Sequence, residues 1–80
     1  MSEESRLRWQ CRRGMRELDD LLVRYLDSRY ATASNDEKSA FQAVLAFPDP
    51  ELNAYLLQRQ IPSSEAIAVV IAHILEHPQS

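Results

Sequence analysis

The sequence predicts an all-α fold, a small bundle of about five short helices that forms a single domain over residues 1–80. Three observations support this prediction. Apolar residues recur at helical spacing in several segments, prolines and a lone glycine separate these segments, and only one stretch resembles a β-strand. The chain has 80 residues, of which 45% are hydrophobic, and this is enough for one modest core.

The first two helices are predicted over about 4–12 and 15–30. In the first helix, Leu7 and Cys11 lie one turn apart and share a face. Trp9 lies off that face, so we expect it either to fold back onto the second helix or to remain partly exposed. The second helix has the clearest amphipathic pattern in the chain. Its apolar stripe consists of Leu18, Leu21, Leu22, Tyr25 and Leu26.

The third helix follows a loop predicted over 31–35. Ser34 and Glu37 have the spacing of a capping box, in which two side chains satisfy the free backbone donors at a helix start. The helix is expected to end near Ala46, because Pro48 disfavours helical geometry in the residue before it. Its predicted core residues are Phe41, Val44 and Leu45.

The fourth helix is predicted over 50–59, with Asp49 as its N-cap and Pro50 as its first residue. Pro62 separates it from the next helix. Its expected core residues are Leu52, Tyr55 and Leu56.

The fifth helix is predicted from about residue 64, with Ser63 as its cap, until Pro78 ends it. Residues 67–71 are rich in β-branched side chains and could instead form a buried strand. However, the apolar residues keep helical spacing over a longer span, and no second strand is available for pairing. We therefore predict a helix, and the residues that fit its period are Ile67, Val70, Ile71, Ile74 and Leu75.

The composition argues against several classes of protein. A net charge of −3 does not favour a general nucleic-acid binder, and a single cysteine excludes a disulfide scaffold. No segment reaches the ~18–20 apolar residues needed to span a bilayer. The N-terminus has neither the apolar region of a secretory signal nor the acid-poor character of a mitochondrial one. We therefore expect a cytoplasmic protein, a monomer when free.

The stretch 9–20 holds the most unusual chemistry in the chain. It contains the only glycine, Gly14, which suits a left-handed C′ position at the end of the first helix. One interpretation is a helix end with local salt bridges, in which Arg13 or Arg16 pairs with Glu17 or Asp20. The other is an exposed turn that recognises an anionic or mixed-charge partner, since arginine suits bidentate recognition.

Other candidate sites favour structural interpretations. Cys11 has no general base near it in sequence, so a core cysteine is expected rather than a nucleophile. His73 and His77 have the i, i+4 spacing of a metal pair, but a third ligand is missing and we predict no metal site. A single glycine cannot build a phosphate-binding loop, and no catalytic triad is suggested. We therefore do not expect an enzyme.

The segment 9–19, read as WQCRRGMRELD, resembles the signature of the succinate dehydrogenase assembly factor family. The RGxxE motif of that family falls on Arg13, Gly14 and Glu17. The resemblance extends over about 6–75, through the following further matches: Asp36-Glu37-Lys38 before Phe41, Asp49-Pro50 with Leu52, Tyr55-Leu56, and Pro62. The sequence departs from the family pattern at Tyr55, where tryptophan is usual, and at Gln60, where glycine is expected.

This resemblance implies a small helical chaperone that binds the flavoprotein subunit of succinate dehydrogenase, and in some bacteria of fumarate reductase. It would promote covalent attachment of FAD to a histidine of that client, so FAD is the client's cofactor and is not stably held by this chain. The implied client-binding residues are Arg13, Gly14, Glu17, Arg12, Arg16 and Trp9. The same resemblance leaves open an alternative, an antitoxin-type protein that binds a toxin or opposes its effect on cytoskeletal polymers.

Overall fold

The computed structural model describes residues 3–76 and confirms the all-α fold. These residues form five α-helices and one short 3₁₀ turn, and none of them is in a β-strand. None of these helices is long and apolar enough to cross a membrane. The elements are α1 (Glu3–Gln10), α2 (Arg16–Ser28), the 3₁₀ turn (Tyr30–Thr32), α3 (Asn35–Leu45), α4 (Asp49–Leu56) and α5 (Glu65–Leu75).

A single apolar core fills the space between the helices. Phe41 of α3 is fully buried at its centre, and its ring lies 4.6 Å from that of Tyr25 and 5.5 Å from that of Tyr30, measured between centroids. Burying one such side chain contributes roughly 2–3 kcal/mol relative to leaving it exposed. Each helix contributes to the core. The buried residues are Leu7, Cys11, Leu18, Leu22, Tyr25, Leu26, Tyr30, Ala40, Phe41, Val44, Leu45, Leu52, Leu56, Ile67, Val70, Ile71 and Ile74.

Two predicted helix starts are shifted by one residue. Ser64, not Ser63, is the N-cap of α5, and its hydroxyl accepts from the backbone N–H of Ile67 at 3.4 Å. Pro48, not Asp49, is the N-cap of α4, because its extended backbone (φ −67°, ψ 157°) precedes the first helical residue. Asp49 then lies in the first turn, where a carboxylate is favoured by the helix dipole.

The third helix begins as predicted. The hydroxyl of Ser34 accepts from the backbone N–H of Glu37 at 3.1 Å, which is one half of the capping box. The carboxylate of Glu37, which the sequence assigns to the other half, instead extends toward Tyr25, Arg29 and His73.

Several predicted helix ends are too late, α1 and α4 most clearly. Helix α1 ends at Gln10 rather than near residue 12, and α4 at Leu56 rather than near residue 59. In α4 the end is closed by an N–H of Gln60 that donates to the carbonyl of Ala54 at 2.9 Å. This geometry requires a positive φ of 60° at Arg59, the only such non-glycine residue in the described chain. Helix α5 also ends early, at Leu75, because Glu76 already has an extended backbone (φ −69°, ψ 121°). Pro78, the predicted stop, lies outside the described residues.

Polar contacts hold α1 against the rest of the bundle. Arg8 pairs with Asp27 of α2, with 2.6 Å between its Nη2 and Oδ1. On α3, the side-chain amide of Gln42 donates to the carboxylate of Glu3 at 2.8 Å and to the hydroxyl of Tyr30 at 2.9 Å. These contacts fix the helix that leads into the glycine-containing turn.

Candidate functional site

The α1–α2 linker, residues 11–15, contains the lone glycine. Gly14 is exposed and has a φ of +82°, in the left-handed region that glycine adopts without steric cost. A Cβ placed there would meet no atom within 4 Å, so the backbone conformation, and not lack of space, requires glycine. The predicted C′ position is wrong, because α1 already ends at Gln10. Gly14 turns the linker instead of closing the helix.

Arg13 points into the molecule and not toward solvent. Its side chain is 17% exposed, and its Nη2 donates to the main-chain carbonyl of Leu45 at the end of α3. Its Nη1 lies 3.5 Å from Oδ1 of Asp49, in the first turn of α4. The sequence predicts that Arg13 either pairs locally or is displayed for a partner. The local pairing with Glu17 or Asp20 is wrong for this side chain, which is largely but not fully buried because the fold brings distant acceptors to it.

The backbone of Arg13 is also held. Its N–H donates to Oδ1 of Asp19 at 2.7 Å, so a carboxylate in the first turns of α2 reaches back to the linker. Asp19 therefore stabilises the turn that precedes its own helix.

The neighbouring charged residues are displayed. Arg12, Arg16 and Glu17 are all exposed, and within residues 3–76 none of them forms a side-chain hydrogen bond or ion pair. The local pairing of Arg16 with Glu17 or Asp20 that the sequence suggested is therefore absent from this part of the chain. The linker and the start of α2 present two guanidinium groups and one carboxylate on either side of Gly14.

Trp9 is also exposed, and does not fold back onto α2. Its relative exposure of 76% is unusual for a tryptophan, a residue that normally buries much of its large apolar surface. Together with Ser5, Arg8 and Arg12, it lines a surface depression of about 310 Å³. We define the linker surface as Trp9, Arg12, Gly14, Arg16 and Glu17, the displayed residues of this region.

Cys11 is a core residue, as predicted. It is fully buried, and this burial raises the pKa of its thiol to about 11, although Arg8 and Arg13 act in the opposite direction. A thiol in this environment is protonated at neutral pH and is a poor nucleophile.

The structure reveals a polar cluster that the sequence did not predict. One carboxylate oxygen of Glu37, Oε2, accepts from the hydroxyl of Tyr25 at 2.5 Å and from Nε of Arg29 at 2.9 Å, and lies 3.2 Å from Nδ1 of His73. Burial raises the pKa of Glu37, but the hydrogen bonds from Tyr25 and Arg29, together with electrostatic attraction to the side chains of His73 and Arg29, outweigh it, so the net pKa is lowered. Burial and the Glu37 hydrogen bond raise the pKa of Tyr25.

This cluster explains His73 without a metal. Its imidazole faces a carboxylate that already has two other donors, and no group of three possible metal ligands occurs within residues 3–76. His77, the other member of the predicted pair, lies outside the described residues. No local spacing rule could have identified the cluster, because its members come from α2, its C-terminal cap, α3 and α5.

Tyr55, one of the two departures from the family pattern, was predicted in the core but is only partly buried against it. Its ring meets that of Phe47 edge to face, with centroids 5.7 Å apart. The other departure, Gln60, lies next to the left-handed residue Arg59. The left-handed backbone that favours glycine is thus at Arg59, one residue before Gln60, where the family pattern has glycine.

The chain is similar to a family of known proteins over almost its whole length. A family model described as flavinator of succinate dehydrogenase matches residues 5–78. A FAD assembly factor SdhE from Idiomarina loihiensis is 36% identical over 94% of this chain and 83% of its own length. Proteins of the same name from Coxiella burnetii and Xylella fastidiosa are each 39% identical, over 86% and 96% of this chain and 84% and 79% of their own.

The matched region includes α2 to α5, all of α1 except its first two residues, and the whole linker surface. The similarity therefore covers nearly all of the described fold and is not confined to one motif. This chain, like the three FAD assembly factors to which it is similar, belongs to the flavinator of succinate dehydrogenase family.

Proposed function

We propose that this protein binds the flavoprotein subunit of succinate dehydrogenase and promotes the covalent attachment of FAD to it. Membership of the flavinator family supports the choice of client. The observation that carries the proposal is the linker surface, where Arg12, Arg16 and Glu17 are exposed and lack partners among the described residues. Charged groups that no intramolecular contact occupies are available to a partner.

In this proposal the client supplies FAD and the histidine to which it becomes attached. The assembly factor acts by binding, because holding reacting groups in a productive arrangement lowers a barrier without any catalytic side chain on the helper. The buried Cys11 thiol fits this role, since it is not placed to act as a nucleophile. We propose no stable FAD site on this chain.

The residues of the linker surface have distinct roles in the proposal. Gly14 leaves an open face on which the client backbone can approach closely, since even a Cβ at this position would meet nothing within 4 Å. Arg12 and Arg16 engage carboxylate or carbonyl groups of the client, and Glu17 engages a donor. Trp9 supplies the large apolar contact that commonly anchors protein interfaces.

Co-expression with the flavoprotein subunit tests the proposal. Covalent flavin is read as fluorescence of the client band in a denaturing gel, after co-expression with the wild type, with Gly14→Arg or with Glu17→Ala. Both variants should reduce the signal strongly. A matched control is Glu65→Ala, which removes another exposed carboxylate from the first turn of a helix. Wild-type fluorescence with both linker variants would contradict the proposal.

A second measurement determines which flavoprotein subunits the protein binds. Purified wild-type protein is mixed separately with the flavoprotein subunits of succinate dehydrogenase and fumarate reductase, and complexes are separated by size-exclusion chromatography. Our proposal expects a complex with the first and extends to the second. The same experiment gives the mass of the free protein, which we expect to be that of a monomer. The cytoplasmic location and the antitoxin alternative stay predictions from the sequence.

A further inference from the structure

We infer that Arg13 is a positioning residue that holds the α1–α2 linker against the junction of α3 and α4 and thereby presets the linker surface for its client. This inference rests on the proposed function. It differs from the implication of the family resemblance, in which Arg13 itself binds the client.

The contacts of Arg13 are directed inward. Its guanidinium reaches two acceptors on either side of the α3–α4 junction, the carbonyl of Leu45 and the carboxylate of Asp49. Its Nε is buried and has no hydrogen-bond partner within residues 3–76. With only 17% of its side chain exposed, this arginine presents little surface to another protein.

The electrostatic environment favours a cation at this place. Leu45 is the last residue of α3, and the carbonyls of a final helical turn lack partners within the helix and carry the negative end of its dipole. Asp49 adds a full negative charge nearby. Arg13 therefore satisfies an acceptor that the fold leaves open, which explains why its side chain stays in place.

Arg13 fixes the linker on the side of Gly14 that leads from α1. Its N–H is bonded to Asp19 and its side chain to the α3–α4 junction, so both its backbone and its side chain are held. Glycine is the residue with the greatest backbone freedom, and an unrestrained linker would sample many orientations around it. The contacts of Arg13 restrict these orientations before the client binds, and this reduces the conformational entropy lost on binding.

Direct binding of the client by Arg13 would have a structural cost. The guanidinium would have to leave Leu45 and Asp49 and expose itself, and the Leu45 carbonyl would lose its donor. Arg12 and Arg16 make no such contacts within the described chain and are free to bind without any rearrangement.

Hydrogen exchange in the free protein tests, without the client, whether Arg13 restrains the linker. In Arg13→Ala, the amide of residue 13, which donates to Asp19, should exchange about tenfold faster or more after correction for its intrinsic rate, because the local opening free energy falls. The matched control Arg16→Ala removes an exposed arginine three positions later, and its linker amides should exchange at the wild-type rate. Arg13→Lys should give an intermediate rate, because an ammonium reaches one acceptor but lacks the planar fork.

Binding kinetics with the purified flavoprotein subunit then separate positioning from contact. If the linker adopts its binding conformation for only a fraction of the time, kon is reduced in proportion to that fraction. Arg13→Ala should therefore lower kon by about tenfold and leave koff near the wild-type value. Arg16→Ala should instead raise koff, because it removes a contact within the complex. Partial recovery of kon in Arg13→Lys is expected.

A control for general destabilisation uses Ile74→Val, a truncation in the core away from the linker. At a temperature where all variants are folded by circular dichroism, Ile74→Val should bind at the wild-type rate. If Arg13→Ala raises koff and leaves the linker amides unchanged, the positioning role is overturned while the client assignment stands. If the wild-type protein does not bind the flavoprotein subunit at all, the proposed function is contradicted, and with it the inference that rests on it.

Discussion

The hydroxyl of Tyr25 donates to the carboxylate of Glu37 across a distance of 2.5 Å and connects the buried stripe of α2 to the start of α3. The same oxygen of Glu37 accepts from Arg29 and faces His73 of α5. One carboxylate thus connects α2, α3 and α5. Because the Glu37 side chain is only 12% exposed, its hydrogen bonds are shielded from solvent competition.

Glu37→Gln should destabilise the protein by about 1–3 kcal/mol, because the bond from Tyr25 becomes neutral and the ion pair with Arg29 is lost. The free energy of unfolding, measured by urea denaturation at neutral pH, checks this expectation. Tyr25→Phe removes a single donor while preserving the ring that packs against Phe41, and should destabilise the protein less. Equal stabilities of Glu37→Gln and the wild type would show that the cluster contributes nothing.

Stability should fall in acid for the same reason. The pKa of Glu37 is lowered in the folded state, so unfolded molecules take up a proton at a higher pH than folded ones. The contribution of Glu37 is therefore present above its ordinary pKa of 4.5 and is lost as the pH falls through the lower folded value. Urea denaturation between about pH 5 and pH 3 should show the wild-type advantage over Glu37→Gln shrinking. A constant difference across this range would contradict the assignment.

Most of the fold was predictable because it follows from local periodicity. The apolar stripe of α2 and the proline-punctuated segments after it specify helices without knowledge of tertiary contacts. Helix ends were less predictable, because hydrogen bonds such as that from Gln60 to Ala54 decide them. The sequence contains no signal for that choice at Arg59, a residue that rarely adopts a positive φ.

The exposed turn at Gly14 was predictable, but the orientation of the arginines around it was not. Clustered charges around the lone glycine correctly marked an exposed turn. Nothing in the local sequence distinguishes Arg13 from Arg12 or Arg16, since all three are arginines near the same glycine. Only the packing of α3 and α4 against the linker places the Leu45 carbonyl within reach of Arg13 and leaves the other two displayed.

Arg59→Gly should stabilise the protein by about 0.5–1 kcal/mol, because it removes the left-handed strain of ~1–2 kcal/mol and adds a smaller entropy cost in the unfolded chain. Thermal or urea unfolding measures the change. Gln58→Gly is the matched control at the neighbouring exposed position, where φ is not positive, and it should be destabilising. If both glycine variants lose stability, the backbone at Arg59 is not strained.

Cys11 should react slowly with iodoacetamide in the native protein. The thiol is fully buried and its pKa is raised to about 11, so both access and thiolate formation are suppressed. In urea the modification should be faster by about a hundredfold or more, since reaction then no longer requires local opening. Mass spectrometry of timed samples at pH 8 gives the two rates. Comparable rates in both conditions would place the thiol at the surface.

Trp9→Ala should separate binding from stability. The indole is 76% exposed, so its removal should change the free energy of unfolding by no more than about 0.5 kcal/mol. If it anchors the client, the same change should weaken the complex with the flavoprotein subunit by about 2 kcal/mol or more, roughly thirtyfold in Kd. Urea denaturation and isothermal titration calorimetry give the two quantities.

A matched control for Trp9 is Ile61→Ala, because Ile61 is 85% exposed and lies in the α4–α5 connection, outside the linker surface. Its truncation should leave both quantities near their wild-type values. If Trp9→Ala and Ile61→Ala bind the client as tightly as the wild type, the indole is not an anchor, and client binding would rest on the charged residues of the linker surface. If Ile61→Ala alone weakens the complex, the client is bound through the α4–α5 connection, and the linker surface is not its binding site.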